Sequence, residues 1–240
     1  IKEDPLYRHW LHGKLTHTAD YAFTENYVLV LSHDEVVHLK KPMLGKAPGG
    51  IEDQLATLKT LYTFQFTHPG KKLLFMGQDF AEDREWDEKR EINWALADDF
   101  GHRDVMQCVR NLIGIYKMYP CLHSDSRDPV TFEWVNSTDS DRNIISFIRR
   151  NPWNYDGAVL VVCSFSPVQY NGYRCGVPEA GLYKRMFSTY DSLPGSGGPG
   201  ERDIPPLTAQ HSECDGREYS ISYDLRPFES VIIELPRNAK

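Results

Sequence analysis

A chain of 240 residues with 40% hydrophobic and 12% aromatic residues is long enough to bury a core, whether as one large domain or two ordinary ones. Its formal charge of −7 excludes a general affinity for nucleic acid and disfavours acidic substrates, since both demand a basic surface. No apolar run approaches the length that crosses a bilayer, and the five cysteines are odd in number and lack any C-x-x-C spacing, so a metal-free, disulfide-free protein of the reducing cytoplasm is expected.

The opening IKEDPLYRHW has neither the basic start nor the apolar centre of a signal peptide. With no initiator methionine, the chain reads as starting inside something longer. Residues Leu15 to Thr24 are predicted to be helical, and Tyr27 to Leu31 to form a strand that ends in SHDEVVH. A strand covered on both faces reads as continuous Val, Leu and Ile, so its polar end must reach something outside the core. The next stretch, EDQLATLKTLYTFQFTH, sets Leu55, Leu58, Leu61, Tyr62 and Phe66 on one helical face. Pro69 and Gly70 stop that helix. KKLLFMG is a second short apolar run, followed by the charged loop QDFAEDREWDEKREINW, and HRDVMQCVRNLIGIYKMYP repeats helical spacing through Val105, Val109, Leu112 and Tyr116. Strand, loop, helix, strand, loop, helix is the grammar of a parallel sheet with covering helices, either doubly wound or a barrel.

Beyond about Cys121 the grammar changes to short strands: TFEWV, NIISFIRR, AVLVVCSFS, YKRMFST, YSISYDL and ESVIIEL. Turn-rich pieces such as NPWNYDG and GSGGPG separate them, which predicts an antiparallel β-sandwich. The expected division is therefore residues 1–122, the α/β part, and 123–240, an all-β domain. The Gly/Pro/Ser segment around Leu193 to Gly200 reads as a surface loop.

In parallel sheets and barrels, functional groups gather at the carboxyl ends of strands. Ser32, His33 and Asp34 hold that place after one strand, and Gln78, Asp79, Glu82 and Glu85 follow the other. Two such clusters at one mouth suit acid/base chemistry on a neutral, hydroxyl-rich ligand. Ser32-x-x-Glu35 equally satisfies the capping-box pattern, in which both side chains merely satisfy backbone donors. The histidines of HDEVVH stand five apart instead of the four that a zinc protease needs. Trp86 and Trp94 can stack on a sugar ring or simply pack, while Lys40, Lys41, Lys71 and Lys72 read as solvated flanks.

The longer segments YAFTENYVLVLSHDEVVH, HPGKKLLFMGQDFAEDREW and GYRCGVPEAGLYKRMFST closely resemble bacterial-type glycogen branching enzymes of the alpha-amylase superfamily, and the likeness runs almost from end to end. The resemblance implies that these two strands are the seventh and eighth of a (β/α)8 TIM barrel followed by an all-β carboxyl-terminal domain. It implies a glycosyltransferase of glycogen biosynthesis that moves α-1,4-glucan segments to 6-hydroxyls by retaining double displacement, with no cofactor and no metal. His33 and Asp34 would then grip the donor sugar, with Asp34 as transition-state stabiliser, and Glu35 and Trp86 would be further substrate contacts. The nucleophile and the general acid, which follow the fourth and fifth strands in that family, would lie in the missing amino-terminal half, leaving this chain inactive alone. The partners implied are α-glucan polysaccharide and that missing half; the alternatives are a hydrolase or debranching relative, or a non-catalytic glucan-binding remnant. The sequence departs from the family twice: Leu39 stands where glycine is usual, and GQDFAED replaces a commoner Asn-Glu-Phe run.

Overall fold

The stretch ahead of the first strand does not form one helix. It breaks into two single turns, α1 (Gly13–Thr16) and α2 (Thr18–Tyr21). Thr16 donates its hydroxyl to the Gly13 carbonyl, three residues back, at 3.3 Å, offering the backbone an alternative to a continuous helical ladder. The computed structural model describes residues 1–123, 127–152, 157–191 and 204–236. The loop expected around Leu193 to Gly200 lies outside these residues, as does the middle of NPWNYDG.

The two apolar runs become β1 (Val28–Leu31) and β2 (Lys71–Leu74), paired in parallel with Val28 opposite Lys71 and Leu31 opposite Leu74. Parallel neighbours require a crossover, which is α3 (Ile51–Thr67). Its expected apolar face is only part of what it buries: Thr57, Lys59, Thr60, Thr63 and Thr67 are buried as well. The helix has covering structure on both sides, so its threonines turn inward and back-bond along it, Thr63 to the Lys59 carbonyl at 2.9 Å and Thr67 to that of Thr63 at 2.7 Å. The next helix, α4 (Phe100–Met118), starts at Asp99, whose carboxylate accepts from the Gly101 and His102 amides. It packs Val105, Cys108, Val109, Leu112 and Ile115 inward, and a short α5 (Pro120–His123) follows.

Among the described residues nine more strands follow: β3 (Phe132–Asn136), β4 (Ile144–Arg149), β5 (Val159–Ser164), β6 (Tyr170–Val177), β7 (Leu182–Ser188), β8 (Leu207–Thr208), β9 (Gln210–Cys214), β10 (Arg217–Leu225) and β11 (Ser230–Glu234). They form a six-stranded sheet in the order β3-β4-β5-β11-β7-β8 and a three-stranded sheet in the order β6-β10-β9. Their pairings are antiparallel, so α/β units followed by an antiparallel all-β region is the architecture. Strands β6, β8 and β9 escaped the sequence reading. Each is short or carries polar, exposed positions, as in the YNGYR start of β6.

The large sheet is buried on both faces. Ile144, Ile148, Leu160, Val162, Val231 and Ile233 pack toward the small sheet, while Ile145, Phe147, Val161, Cys163 and Ile232 share a core with α3 and α4. Each full burial of such a side chain is worth about 1.5–3 kcal/mol. Polar anchors then lock the α/β part to the sheet. Arg149, on β4 and only 3% exposed, donates to the carbonyls of Thr67 at 2.6 Å, Cys121 at 2.8 Å and Thr131 at 3.3 Å. Burial lowers its pKa to about 10. Lys59 bridges Asp104 at 2.6 Å and the Thr189 carbonyl at 2.7 Å, the Thr60 hydroxyl donates to the Phe228 carbonyl, and buried Arg8 donates to that of Phe165 at 2.7 Å.

Candidate functional site

The site begins where β1 runs out of apolar residues. Ser32 stays extended, and its hydroxyl accepts from the Asp34 amide at 3.3 Å, capping a 3-10 turn over His33–Glu35. The capping reading is thus half met, for Ser32 caps but the Glu35 carboxylate does not reach back to the Ser32 amide. The same turn throws His33 and Asp34 outward, with side chains 51% and 73% exposed and His33 Nε2 lying 3.2 Å from Asp34 Oδ1. The Asp34 carboxylate caps nothing. Glu35 is half-buried, and its charge is felt by buried Lys46.

The loop after β2 comes to the same place through a tight reversal. Gly77 adopts φ +77, and a Cβ there would sit 2.9 Å from that of Glu82, so only glycine fits. The reversal sends Glu82 inward, where one carboxylate oxygen accepts from the Asn93 amide at 2.7 Å and the other is buried without a partner. Desolvation raises its pKa. Beyond it the Trp86 amide donates to the Val36 carbonyl at 2.8 Å, stitching the two loops together. The Trp86 ring lies 5.8 Å from His33 and 5.6 Å from Phe75, and Phe75 lies 6.0 Å from His33. His33, Asp34 and Trp86 are therefore neighbours; Trp94 is elsewhere, stacked on Phe80 at 5.6 Å.

Two features of this mouth escaped sequence reading. The Glu85 carboxylate accepts from the Lys41 amide at 2.7 Å and the Leu39 amide at 3.0 Å, and those two bonds, Lys41 first, lower its pKa. Both residues it grips are left-handed, Leu39 at φ 67 and Lys41 at φ 65, a conformation that costs an L-residue roughly 1–2 kcal/mol. Lys40, expected to be a solvated flank, donates to the Asp34 carbonyl at 2.7 Å. The leucine in place of glycine was the available signal for the first feature, because a customary glycine often marks a positive φ. Among the described residues, no group of His, Cys, Asp and Glu is arranged to hold a metal ion, and no helix is long and apolar enough to cross a membrane.

An aspartate and a histidine, solvent-facing at the carboxyl end of one parallel strand and backed by aromatic rings from the loop after the next, can offer hydrogen bonds and a negative charge to a polyhydroxylated ring. The family described as alpha amylase, C-terminal all-beta domain, matches residues 134–236. A solved structure of pullulanase type I from Bacillus subtilis, complexed with maltose, superposes over 97% of this chain and 32% of its own, with a TM-score of 0.64 at 14% identity, which supports the fold alone. The chain is the carboxyl-terminal region of an alpha-amylase family protein. Within that family it matches bacterial 1,4-alpha-glucan branching enzymes. It is 40% identical to the GlgB of Rubrobacter xylanophilus over 235 residues, covering 97% of this chain and 32% of that protein. It is 41% identical to that of Butyrivibrio fibrisolvens over 232 residues, covering 97% and 36%. The chain thus spans about a third of the length of these curated relatives.

Proposed function

We propose that this chain supplies the last two βα units and the β-sandwich of a glycogen branching enzyme, with the division near Leu122. The enzyme breaks an α-1,4 bond of a glucan, holds the released segment as a glycosyl-enzyme and passes it to a 6-hydroxyl of an acceptor. Retention of this kind uses a nucleophile and an acid/base carboxyl roughly 5–5.5 Å apart, and both belong to the portion of the enzyme outside these residues. Asp34 is the third acid. It neither attacks nor donates a proton; its negative charge and hydrogen bonds stabilise the oxocarbenium-like sugar and discourage ionisation of a neighbouring acid. His33 donates to the same ring, Trp86 provides an apolar wall, and Glu35 is a further substrate contact. Cytoplasmic α-glucan is the substrate.

The observation that carries this reading is the Asp34 carboxylate itself, solvent-facing at the strand end and engaged in no backbone cap, with His33 3.2 Å away. Asp34→Asn in the full-length enzyme keeps the shape and removes the charge. We expect turnover on amylose to fall by orders of magnitude while the melting temperature moves by no more than about 2 °C, since the side chain is exposed. Unchanged turnover removes Asp34 from the mechanism. The 240 residues alone are expected to neither branch nor hydrolyse amylose; glucan transfer by a pure preparation refutes the division of catalytic residues.

A further inference from the structure

At the end of the molecule where β1 and β2 begin, opposite the mouth that holds Asp34, a cavity of about 120 Å³ opens between the α/β part and the sandwich. That is room for several waters or one small anion. Tyr27, Gly70 and Lys71 line it from the strand starts, Tyr116 from the last turn of α4, Arg127 from beyond α5, and Arg149 from the sandwich. Its charge is lopsided. Lys71, Arg127 and Arg149 face it, Glu25 is the one carboxylate among the described lining residues, and none of the three cations has a carboxylate within 4 Å among the described residues. His123 also borders it, and Lys72 lies close enough for the Arg149 charge to help lower its pKa, after burial. This is a local reversal of sign in a chain of net charge −7.

The bland account is that Arg149 is a structural staple, its charge offset by the carbonyl ends of α3 and α5. Those carbonyls do accept from it, but a helix end carries only about half an elementary charge. That partly offsets one cation; Lys71 meets the His123 carbonyl at 3.5 Å, which carries no full charge, and Arg127 has no carboxylate beside it among the described residues. Arg149 spends three of its five N–H donors on carbonyls, so two remain. A buried guanidinium at the back of a cleft with two flexible cations at its rim is suited to a tetrahedral oxyanion.

We propose that this cavity binds a small phosphate dianion, free or as the phosphate group of a small metabolite, which clamps β4 of the sandwich to the starts of β1 and β2. The site is remote from Asp34, so the ligand acts on the joint between the two regions and not as substrate. Because it binds only the folded chain, it raises the melting temperature as its concentration passes its dissociation constant.

The test is thermal unfolding and calorimetric titration of the full chain with inorganic phosphate, with a hexose monophosphate, and with sodium chloride at matched ionic strength. Phosphate is expected to give a saturable rise of several degrees that chloride does not. The two phosphate arms separate the sources: a tenfold or greater preference for the sugar phosphate assigns the site to a metabolite, and equal affinity to the free ion. Lys71→Ser with Arg127→Ser, both at exposed positions, is expected to weaken phosphate at least tenfold without moving the melting temperature in chloride by more than about 2 °C. Glu25→Gln is expected to tighten it severalfold. A phosphate response no larger than that of chloride overturns the proposal, and so does one that survives the double substitution or is weakened by Glu25→Gln.

Discussion

The parallel pair and the six-stranded sheet are both built from short runs rich in Val, Leu and Ile, VLVL with the half-lysine KKLL in one and IISFIR with VLVVCS in the other, yet they end in opposite states. Val28 and Val30 of β1 stay 50% and 48% exposed. Every residue of β4 and β5 is buried. The sheet has two covers, the small sheet on one face and α3 with α4 on the other, whereas the pair is covered by α3 and touched by α4, where Lys72 lies 5.6 Å from the Tyr116 ring. An open parallel pair with one bare face and two free edges is an unfinished structure, and that accords with proposing that further barrel strands cover it in the complete enzyme. A hydrophobic run therefore records where a strand will lie; what buries it is decided by elements far along the chain.

The comparison breaks most visibly at the joint. Arg149→Met removes a buried charge that three carbonyls depend on, and we expect a loss of about 3–5 kcal/mol in urea unfolding. A loss below about 1 kcal/mol would falsify its role as the staple between the two regions. Next in size, Leu160→Ala in the sheet is expected to cost about 2–5 kcal/mol, while Val30→Ala in the pair costs less than about 0.5 kcal/mol in the isolated chain. Repeated in the full-length enzyme, Val30→Ala should cost more, because the proposed neighbours now bury it; equal costs in both contexts dispose of those neighbours.

A pH series sharpens the contrast further. His68, at the carboxyl end of α3, is 2% exposed. A carbonyl can only accept, so Nδ1 must donate to the Pro69 carbonyl at 3.1 Å and Nε2 is left to accept the Thr18 hydroxyl at 3.0 Å. Burial, with Lys72 and Arg149 nearby, lowers its pKa to about 3. The unfolded chain therefore takes up a proton near pH 6.5 that the folded chain refuses. The stability this neutral histidine contributes is complete above about pH 6.5 and declines as pH falls toward 3, at up to about 1.4 kcal/mol per unit. His68→Gln should flatten that slope in urea titrations between pH 6.5 and 4.5, and an unaltered slope places its origin elsewhere.

The smallest effect lies at the mouth. Leu39→Gly relieves a left-handed leucine whose side chain is 84% exposed, and after the entropy cost of glycine a gain of roughly 0.5 kcal/mol is expected. Glu85→Ala alone should loosen the loop, seen as faster amide exchange at Leu39 and Lys41. Its effect should shrink in the Leu39→Gly background, where the backbone no longer needs holding. Full additivity of the two substitutions means that Glu85 is not the clamp.

What the sequence determined by itself is the alternation of elements and the position of the chemistry. Continuous Val, Leu and Ile placed β1, β4, β5 and β11, helical spacing placed α3 and α4, and the abrupt SHDEVVH put Asp34 at a strand end. These signals are local, repeating within a few residues. Tertiary structure alone decided that Trp86 meets His33 across fifty-odd residues of chain, that Glu85 holds Leu39 and Lys41, that Lys40 serves Asp34, and that α3 is covered on both sides. It also decided that polar strands such as β6 and β9 add a second sheet. The reason is physical: hydrogen bonds between loops and burial by distant elements depend on where the folded chain brings its ends together, and no spacing along the sequence records that distance.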